Sequence, residues 1–462
     1  MWKNKYEKVL ETIEEEVLPD EEEWRNALKK ADNVKKNIYE LVRKIYDISL
    51  EDVVILGSVP RYTFLKSDYD IDIFLRFSEY ADLKKVVEYL YEKIPERFGY
   101  RVKLRYADHP YLEILAESMT FNIVPSYKTK YPNWKTPMDR SYYHHRYLLE
   151  KNIQDKFRDV IFLKAFFKGI GVYGAEVYVG GFSGYLVELL ILYYGSFLNA
   201  LKNIAKWRPN IVIDIERYYS SRKEAVDAFN NHHLIVVDPV DRSRNVAAAV
   251  TIKAFSKVIS ASKAFLHHPS EEFFRPLKHK LLKSDEIEKV LSTINLAVIL
   301  LKHQERIPDI HFSQLERISR KISNILRNHK YVVLKRSIYS DYKSKSVIVF
   351  MLENLNRPVL EISKGPYPYL ESETQFITKN RGKILWIDRD GRWYVLRKSK
   401  YPNVIGLLMD IFKKNMIKIP DVFSDFVSIY TGKEVFDLLS DPDIREWIEN
   451  FVFGDTFWIK YY

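Results

Sequence analysis

The sequence predicts a multidomain α+β protein, and three observations carry that expectation. A chain of 462 residues is too long for one hydrophobic core, so roughly two to four domains follow. Apolar residues make up 47% and charged residues 29%, the balance of a folded, water-facing chain. The hydrophobic period also changes along the chain. Strand and helix spacings mix at first, helical spacing then dominates, and strands return after Pro269. The predicted divisions are 1–145, an α/β domain; 146–268, mainly helical; and 269–462, α+β.

The elements follow in order. Residues 20–46 read as a helix: Asp20 is a capping residue, acids fill the first turn, and Trp24, Leu28, Ala31, Val34, Ile38 and Leu41 recur at helical spacing. Residues 52–56 form a short strand, and residues 70–77 a second, with alternation at Ile71, Ile73 and Leu75. A helix over 81–94 and strands over 101–106, 111–115 and 120–124 complete the first domain. Helices are predicted over 160–167 and 184–197, interrupted by a strand and turn over 234–241. Farther on, a helix over 312–328 precedes strands over 331–334, 346–352 and 393–396. That helix carries Arg317, Arg320, Lys321 and Arg327, a basic face able to follow a nucleic-acid backbone or simply to be solvated.

Lys and Arg number 73 against 62 Asp and Glu, a net +11, which suits a polyanionic partner without requiring one. There is no cysteine, which excludes disulfides, zinc-thiolate sites and thiol catalysis. Residues 1–16 lack the apolar core of a signal peptide. The longest apolar stretch, 185–198, is too short for a membrane span and contains Glu188. No membrane association and a cytoplasmic location are therefore expected. The scarcity of Gln beside abundant Lys, Glu, Ile and Tyr leans toward a hot habitat.

The chemistry concentrates between Gly57 and Asp72. Gly57-Ser58 directly follows a strand, where glycine lets the backbone approach a ligand and successive N–H groups can hold a phosphate. Ser58 adds a hydroxyl and Arg61 a planar cationic fork. A lone Gly-Ser would be an ordinary turn. Asp70-Ile71-Asp72 changes the weighing, because residues two apart on a strand face one side. Both carboxylates then project together, with a spacing that can hold Mg²⁺ ions. Such a site neutralises a nucleoside triphosphate and activates an attacking hydroxyl, and a third carboxylate normally completes it.

Gly57-Ser58-Val59-Pro60-Arg61 followed by Asp70-Ile71-Asp72-Ile73-Phe74 resembles the signature of the archaeal, class I CCA-adding enzymes, tRNA nucleotidyltransferases of the polymerase-β-like superfamily. The similarity continues through Asp139-Arg140, His144-His145, Lys164, the run from Gly169 to Glu176, Gly181-Phe182-Ser183-Gly184-Tyr185, Asp238-Pro239-Val240-Asp241 and Arg244-Asn245-Val246-Ala247. It is strong over about residues 15–275 and weak beyond. The resemblance implies a polymerase-β-like catalytic head, a central nucleotide-selecting helical domain and a C-terminal RNA-binding body and tail. It implies that Ser58 and Arg61 contact the triphosphate of CTP or ATP, and that Asp70 and Asp72 hold Mg²⁺. His144, Lys164 and Tyr173 would complete the nucleotide pocket, and Arg244 would help select C and A. Read without the family, Lys164 is a snorkelling lysine, His144 part of a polar aromatic cluster and Tyr173 an aromatic capping a helix-ending turn. The implied partner is tRNA, gripped by its acceptor arm and TΨC stem; a homodimer is compatible with this.

The pattern breaks at one place. The third catalytic aspartate of the family aligns with Asn122. An amide keeps the shape but not the charge, and cannot take a proton from a 3′-hydroxyl. Three readings stay open: an inactivated site, compensation by a nearby carboxylate, or a paralogue that binds RNA without extending it. For compensation the candidate is Glu113, which falls opposite Asn122 if Glu117-Ser118 form a two-residue hairpin turn. Pro60 and Tyr62 also depart from the family's usual residues. The expected activity is template-independent addition of C, C and A. The alternatives are a catalytically weakened binder and another terminal transferase of poly(A) or oligoadenylate type.

Overall fold

The computed structural model describes residues 2–45, 49–106, 110–275, 283–418, 420, 423 and 427–462; Tyr46, the predicted end of the first long helix, lies outside them. The chain forms two compact units. The first is Met1–Lys278 together with Asp455–Tyr462, and the second is His279–Gly454.

The first unit begins with α1 (Trp2–Val17) and α2 (Glu21–Val42). Asp20 caps α2 as expected, its side chain accepting the Glu23 N–H. A five-stranded sheet follows from β1 (Leu50–Leu56), β2 (Ile71–Phe77), β3 (Arg101–Tyr106), β4 (Pro110–Ala116) and β5 (Met119–Tyr127), in the order β1-β2-β5-β4-β3. Only the β2–β5 pair is parallel. Together with α2, α3 (Leu83–Phe98) supplies the helical side of the domain core, in which Ile71, Ile73, Leu75, Phe121 and Ile123 are buried. Strand alternation sends Asp72, Phe74, Asn122 and Val124 to the other face. Glu117 and Ser118 both have positive φ (48° and 65°), so β4 and β5 are joined by a two-residue hairpin turn that sets Glu113 opposite Asn122.

The remainder of this unit contains α4 (Arg140–Glu150), α5 (Phe157–Gly169), α6 (Gly184–Tyr194), α7 (Phe197–Ile204), β6 (Ile211–Ile213), α8 (Arg222–Ala228), β7 (Leu234–Val236) and α9 (Ile252–His267). A second core, rich in phenylalanine, includes Phe166, Phe182, Phe197, Phe265 and Phe273. The single helix expected over 184–197 is two helices. Gly195, at φ +87°, ends α6, the Ser196 side chain caps α7, and the pair bends by 94°. Among the described residues no single helix is long and apolar enough to cross a membrane, and this bent pair passes that test by length and composition only. The C-terminal residues also pack into this core: Trp458 is fully buried and its indole N–H donates to Ser260 Oγ at 2.9 Å.

The second unit is built on a four-stranded antiparallel sheet, β14-β8-β10-β9. Its elements are α10 (Ser284–Leu291), β8 (Asn295–Lys302), α11 (Pro308–Asn328), β9 (Val333–Ser340), β10 (Lys345–Leu352), β11 (Leu360–Lys364), α12 (Ser372–Lys379), β12 (Ile384–Ile387), β13 (Trp393–Lys398), α13 (Val404–Lys413), β14 (Val427–Thr431) and α14 (Pro442–Phe453). One sheet face packs on α11 and α13 through Ile299, Phe350, Ile318 and Leu407. The other packs on α10 and α14 through Val298, Val349, Ile287 and Ile448. A sheet buried on both sides explains the nearly continuous apolar runs of β8 and β10. The β11-β13-β12 sheet is separate. Arg317, Arg320, Lys321 and Arg327 are exposed on α11.

Candidate active site

The site starts at the turn after β1. Gly57 has φ +82°, and a Cβ there would lie 2.4 Å from Asp72 Oδ2. Only glycine lets this turn close on the aspartate. The Ser58 carbonyl accepts the Arg61 and Thr63 N–H groups, which fixes the turn; the Ser58 hydroxyl has no partner among the described residues. Across the parallel β2–β5 pair, Asp72 stands beside Asn122. The Asn122 amide donates to Asp72 Oδ1 at 2.9 Å. An aspartate in that place would set a second negative charge against the first.

Burial, and then the charges of Asp72, Glu113 and Asp68, push the Asp70 carboxyl up to about 6, although its side chain stands at the exposed lip of the site. Burial also raises Asp72, against the opposing effects of Asn122 and Arg61. The Glu113 carboxylate is held by both arms of Arg105, at 3.0 and 2.8 Å. It sits where compensation would need it, with its charge already paired.

Leu56, Gly57, Arg61, Asp72, Asn122, His144, His145 and Tyr185 line one cavity of about 340 Å³. Arg61 is 7% exposed. Its Nε and Nη2 donate to Glu188 at 3.2 and 2.9 Å, and its Nη1 to His145 Nδ1 at 2.8 Å. Glu188 also accepts from Thr63 Oγ1 at 2.5 Å, and Lys164 Nζ lies 3.8 Å away while donating to Thr63 O at 2.7 Å. Burial would raise the Glu188 carboxyl, but Arg61, Lys164 and Thr63 outweigh it and hold it low. Burial lowers Lys164 to about 8 and, with the Arg61 charge, His145 to about 4. Tyr173 belongs to the same group: a Cβ on Gly184 would lie 3.2 Å from its hydroxyl and 3.6 Å from Lys164 Nζ.

A second cluster adjoins through His144. Its Nε2–H donates to Asp238 Oδ2 at 2.8 Å, and its ring stacks on Tyr185 at 4.2 Å. Arg244 Nη1 donates to the same Asp238 oxygen at 2.8 Å. Asp238 is fully buried; burial would raise it, but His144, Arg244 and the Val240 N–H bring it down to about 2.

Comparison with known proteins adds the decisive observation. The chain is 35% identical over 412 residues to the CCA-adding enzyme of Pyrobaculum islandicum, covering 87% of this chain and 92% of that one. The chain belongs to the CCA-adding enzyme family. The CCA-adding enzyme of Archaeoglobus fulgidus is 34% identical, over 86% of this chain and 87% of its own, and that of Methanopyrus kandleri 32%, over 97% of each. Residues 158–275 match the tRNA nucleotidyltransferase second domain, and residues 292–418 the CCA-adding enzyme C-terminal domain. Among solved structures, the Cid1 poly(U) polymerase aligns at TM-score 0.47 and 15% identity, over 58% of this chain and 98% of that chain.

The first unit thus carries the tRNA nucleotidyltransferase second domain of the CCA-adding enzyme family, and a nucleotidyltransferase fold works with a divalent metal. The residues here suit a hard cation: Asp70 and Asp72 supply anionic oxygens whose mutual repulsion a cation would relieve. Among the described residues no group of three His, Asp or Glu side chains converges as a metal site. Of the residues singled out in the sequence, Gly57, Arg61, Asp72, Asn122 and His144 share the cavity. Lys164 and Tyr173 stand behind Arg61, Arg244 joins through Asp238, and Ser58 and Asp70 sit in the adjoining turn and strand entry.

Sequence reasoning missed Glu188 as a site residue. Its signal was present: a carboxylate inside an apolar helix needs a buried cationic partner. Asp238 and Tyr185 were visible as motif residues, but not as the groups that hold His144.

Proposed function

We propose that the protein adds C, C and A to tRNA 3′ ends without a template, taking CTP and ATP as substrates and Mg²⁺ as the metal. The observation that carries this reading is the joining of two clusters by one cavity, in a chain of the CCA-adding enzyme family. One cluster is the Asp70, Asp72 and Asn122 strand edge; the other is the His144, Asp238 and Arg244 group. Asp70 and Asp72 would hold Mg²⁺, which when bound neutralises the triphosphate and lowers the pKa of the attacking hydroxyl. Gly57 and Ser58 would hold phosphate oxygens with N–H and hydroxyl donors. Arg61 would act as a fixed cation, since three of its N–H donors are committed to Glu188 and His145. Lys164 and Tyr173 would support that face from behind. His144 and Arg244 would read the base, with Arg244 favouring C and A. In this division residues 1–145 are the catalytic head, 146–268 select the nucleotide, and 269–462 grip the acceptor arm and TΨC stem. The protein would work in the cytoplasm; a homodimer is compatible with this scheme.

Asn122 supports a second reading, a protein that binds nucleotide and tRNA but transfers slowly. The amide donates to Asp72 and takes no proton from the 3′-hydroxyl. The test is incubation with Mg²⁺, CTP, ATP and a tRNA ending before its CCA. Ordered growth by C, C and A sustains the first reading. Binding without extension, reversed by Asn122→Asp, sustains the second. Neither binding nor extension would sink both.

A further inference from the structure

The first unit holds another concavity, of about 740 Å³, that shares no lining residue with the first. It is framed by the chain after α7, by β6 and by α8. Its wall brings together Lys206, Arg208, Arg217 and Arg222 with one carboxylate, Asp214. Arg208 donates to the Trp207 carbonyl, and Arg222 to the carbonyls of Asn210 and Pro209. Carbonyl acceptors fix these forks without cancelling their charge. Among the described residues none of the four cations forms an ion pair. Asp214 Oδ2 accepts the Tyr219 N–H at 2.9 Å, and its Oδ1 is buried without a partner.

Two tyrosines give the cavity aromatic surface. Tyr193 is 48% exposed, and Tyr219 lies under the Arg242 guanidinium, 5.7 Å from its ring centre. The wall is tied to the nucleotide-reading loop. Tyr218 OH donates to Pro239 O at 2.6 Å and Tyr219 OH to Arg242 O at 2.8 Å, on either side of Asp241 and within a few residues of Asp238 and Arg244. A ligand in the cavity would therefore touch Tyr219, which is bonded to the loop that carries Arg244.

We propose that this cavity is a second nucleic-acid site, binding the sugar–phosphate backbone of the RNA upstream of the 3′ end that is extended. A concave wall with excess positive charge focuses the potential. Arginine forks match phosphate oxygens, and the exposed Tyr193 ring can accept an unstacked base. The identity of the RNA rests on the proposed function; the site itself rests on the charge and shape of the wall.

The test is fluorescence-anisotropy binding of a tRNA lacking its CCA, over a series of salt concentrations, with the full-length protein. Arg208→Gln combined with Arg217→Gln should lower the slope of log affinity against log salt by about 2, and weaken binding roughly tenfold at near-physiological salt. Lys206→Gln alone should lower the slope by about 1. CTP affinity, measured by calorimetry, should not change. An unchanged slope overturns the proposal, as does an equal loss of CTP affinity. So does inorganic triphosphate displacing the RNA at equal phosphate concentration, which would make this a small-anion site. A wild-type protein that binds RNA with the expected slope but never extends it would sink the functional reading and leave this one standing. Extension with an unchanged slope in the variants would do the reverse.

Discussion

Two charged regions of the first unit meet at one cavity and are balanced in opposite ways. At the strand edge Asp72 faces an amide, and burial raises both carboxyls, bringing Asp70 to about 6 with the added charge of Asp72 and Glu113. Behind the turn, Arg61 and Lys164 flank the single carboxylate of Glu188, which they hold low. One side has two carboxylates with no cation in an ion pair with them among the described residues, and the other has two cations to one anion. Under the proposed function a metal-bound triphosphate would supply what each lacks, with cation toward the aspartates and phosphate toward the arginine. The difference teaches that binding and transfer are separately built. The cationic side is complete in its hydrogen bonds, whereas the anionic side lacks the group that would accept the hydroxyl proton.

The largest expected effect tests that incompleteness. Asn122→Asp should raise the single-turnover rate of tRNA extension by about 10²–10⁴-fold, the usual contribution of a general base, with little change in CTP affinity. A rate already fast in the unchanged protein, lowered by Glu113→Gln, would break the comparison by giving the anionic side its missing group. The geometry speaks against that outcome, because Arg105 holds both oxygens of Glu113.

The cationic side predicts a loss of stability. Glu188→Ala leaves Arg61 and Lys164 buried without a counter-charge, and removal of one partner from a buried ion pair costs about 3–5 kcal/mol. Denaturant unfolding of the first unit should show it, and Glu188→Gln should cost less by keeping the acceptor oxygen. A wild-type midpoint in the alanine variant would mean that this network adds nothing to the fold.

How much of this could be read in advance depends on the distance over which each signal acts. The strand edge was legible in part because its rules are local: the Glu117-Ser118 turn fixed the register that sets Glu113 against Asn122, whereas Asp70, expected inside the strand, stands just before β2. The cationic network was not, because Arg61 and Glu188 are 127 residues apart and a buried carboxylate announces a partner without naming it. The break at Gly195 was hidden by the apolar run on both sides, although Ser196 is a capping residue. The return of residues 455–462 to the first unit had no signature, since a short segment carries too few residues for a period to show.

A smaller effect is expected at Asp238. Asp238→Asn removes the charge that holds both His144 and Arg244. Misincorporation of U in place of C should rise by about tenfold, the scale of one lost polar discrimination, as read by extension with each nucleotide alone. Unchanged selectivity would detach this cluster from base reading and leave it a structural tie.

The last effect is one of pH. His145 titrates at about 4 in the folded protein, against 6.5 for the ordinary group, because burial and the Arg61 charge both oppose its protonation. Between those values the unfolded chain binds the extra proton. The stability that His145 allows is therefore full above the upper value and is lost as the pH falls toward the lower one. The loss is on the order of 1–3 kcal/mol, allowing for its partial exposure. Hydrogen exchange at the α4 amides, corrected for the intrinsic effect of pH, should show protection falling across this window, and His145→Gln should flatten the fall. His311 in the second unit is held to about 4 by its own burial and by His303 and Arg306, so that unit should keep its pH dependence in the variant. If flattening appears in both units, the proton is not His145's, and the acid sensitivity of the cationic side must be assigned elsewhere.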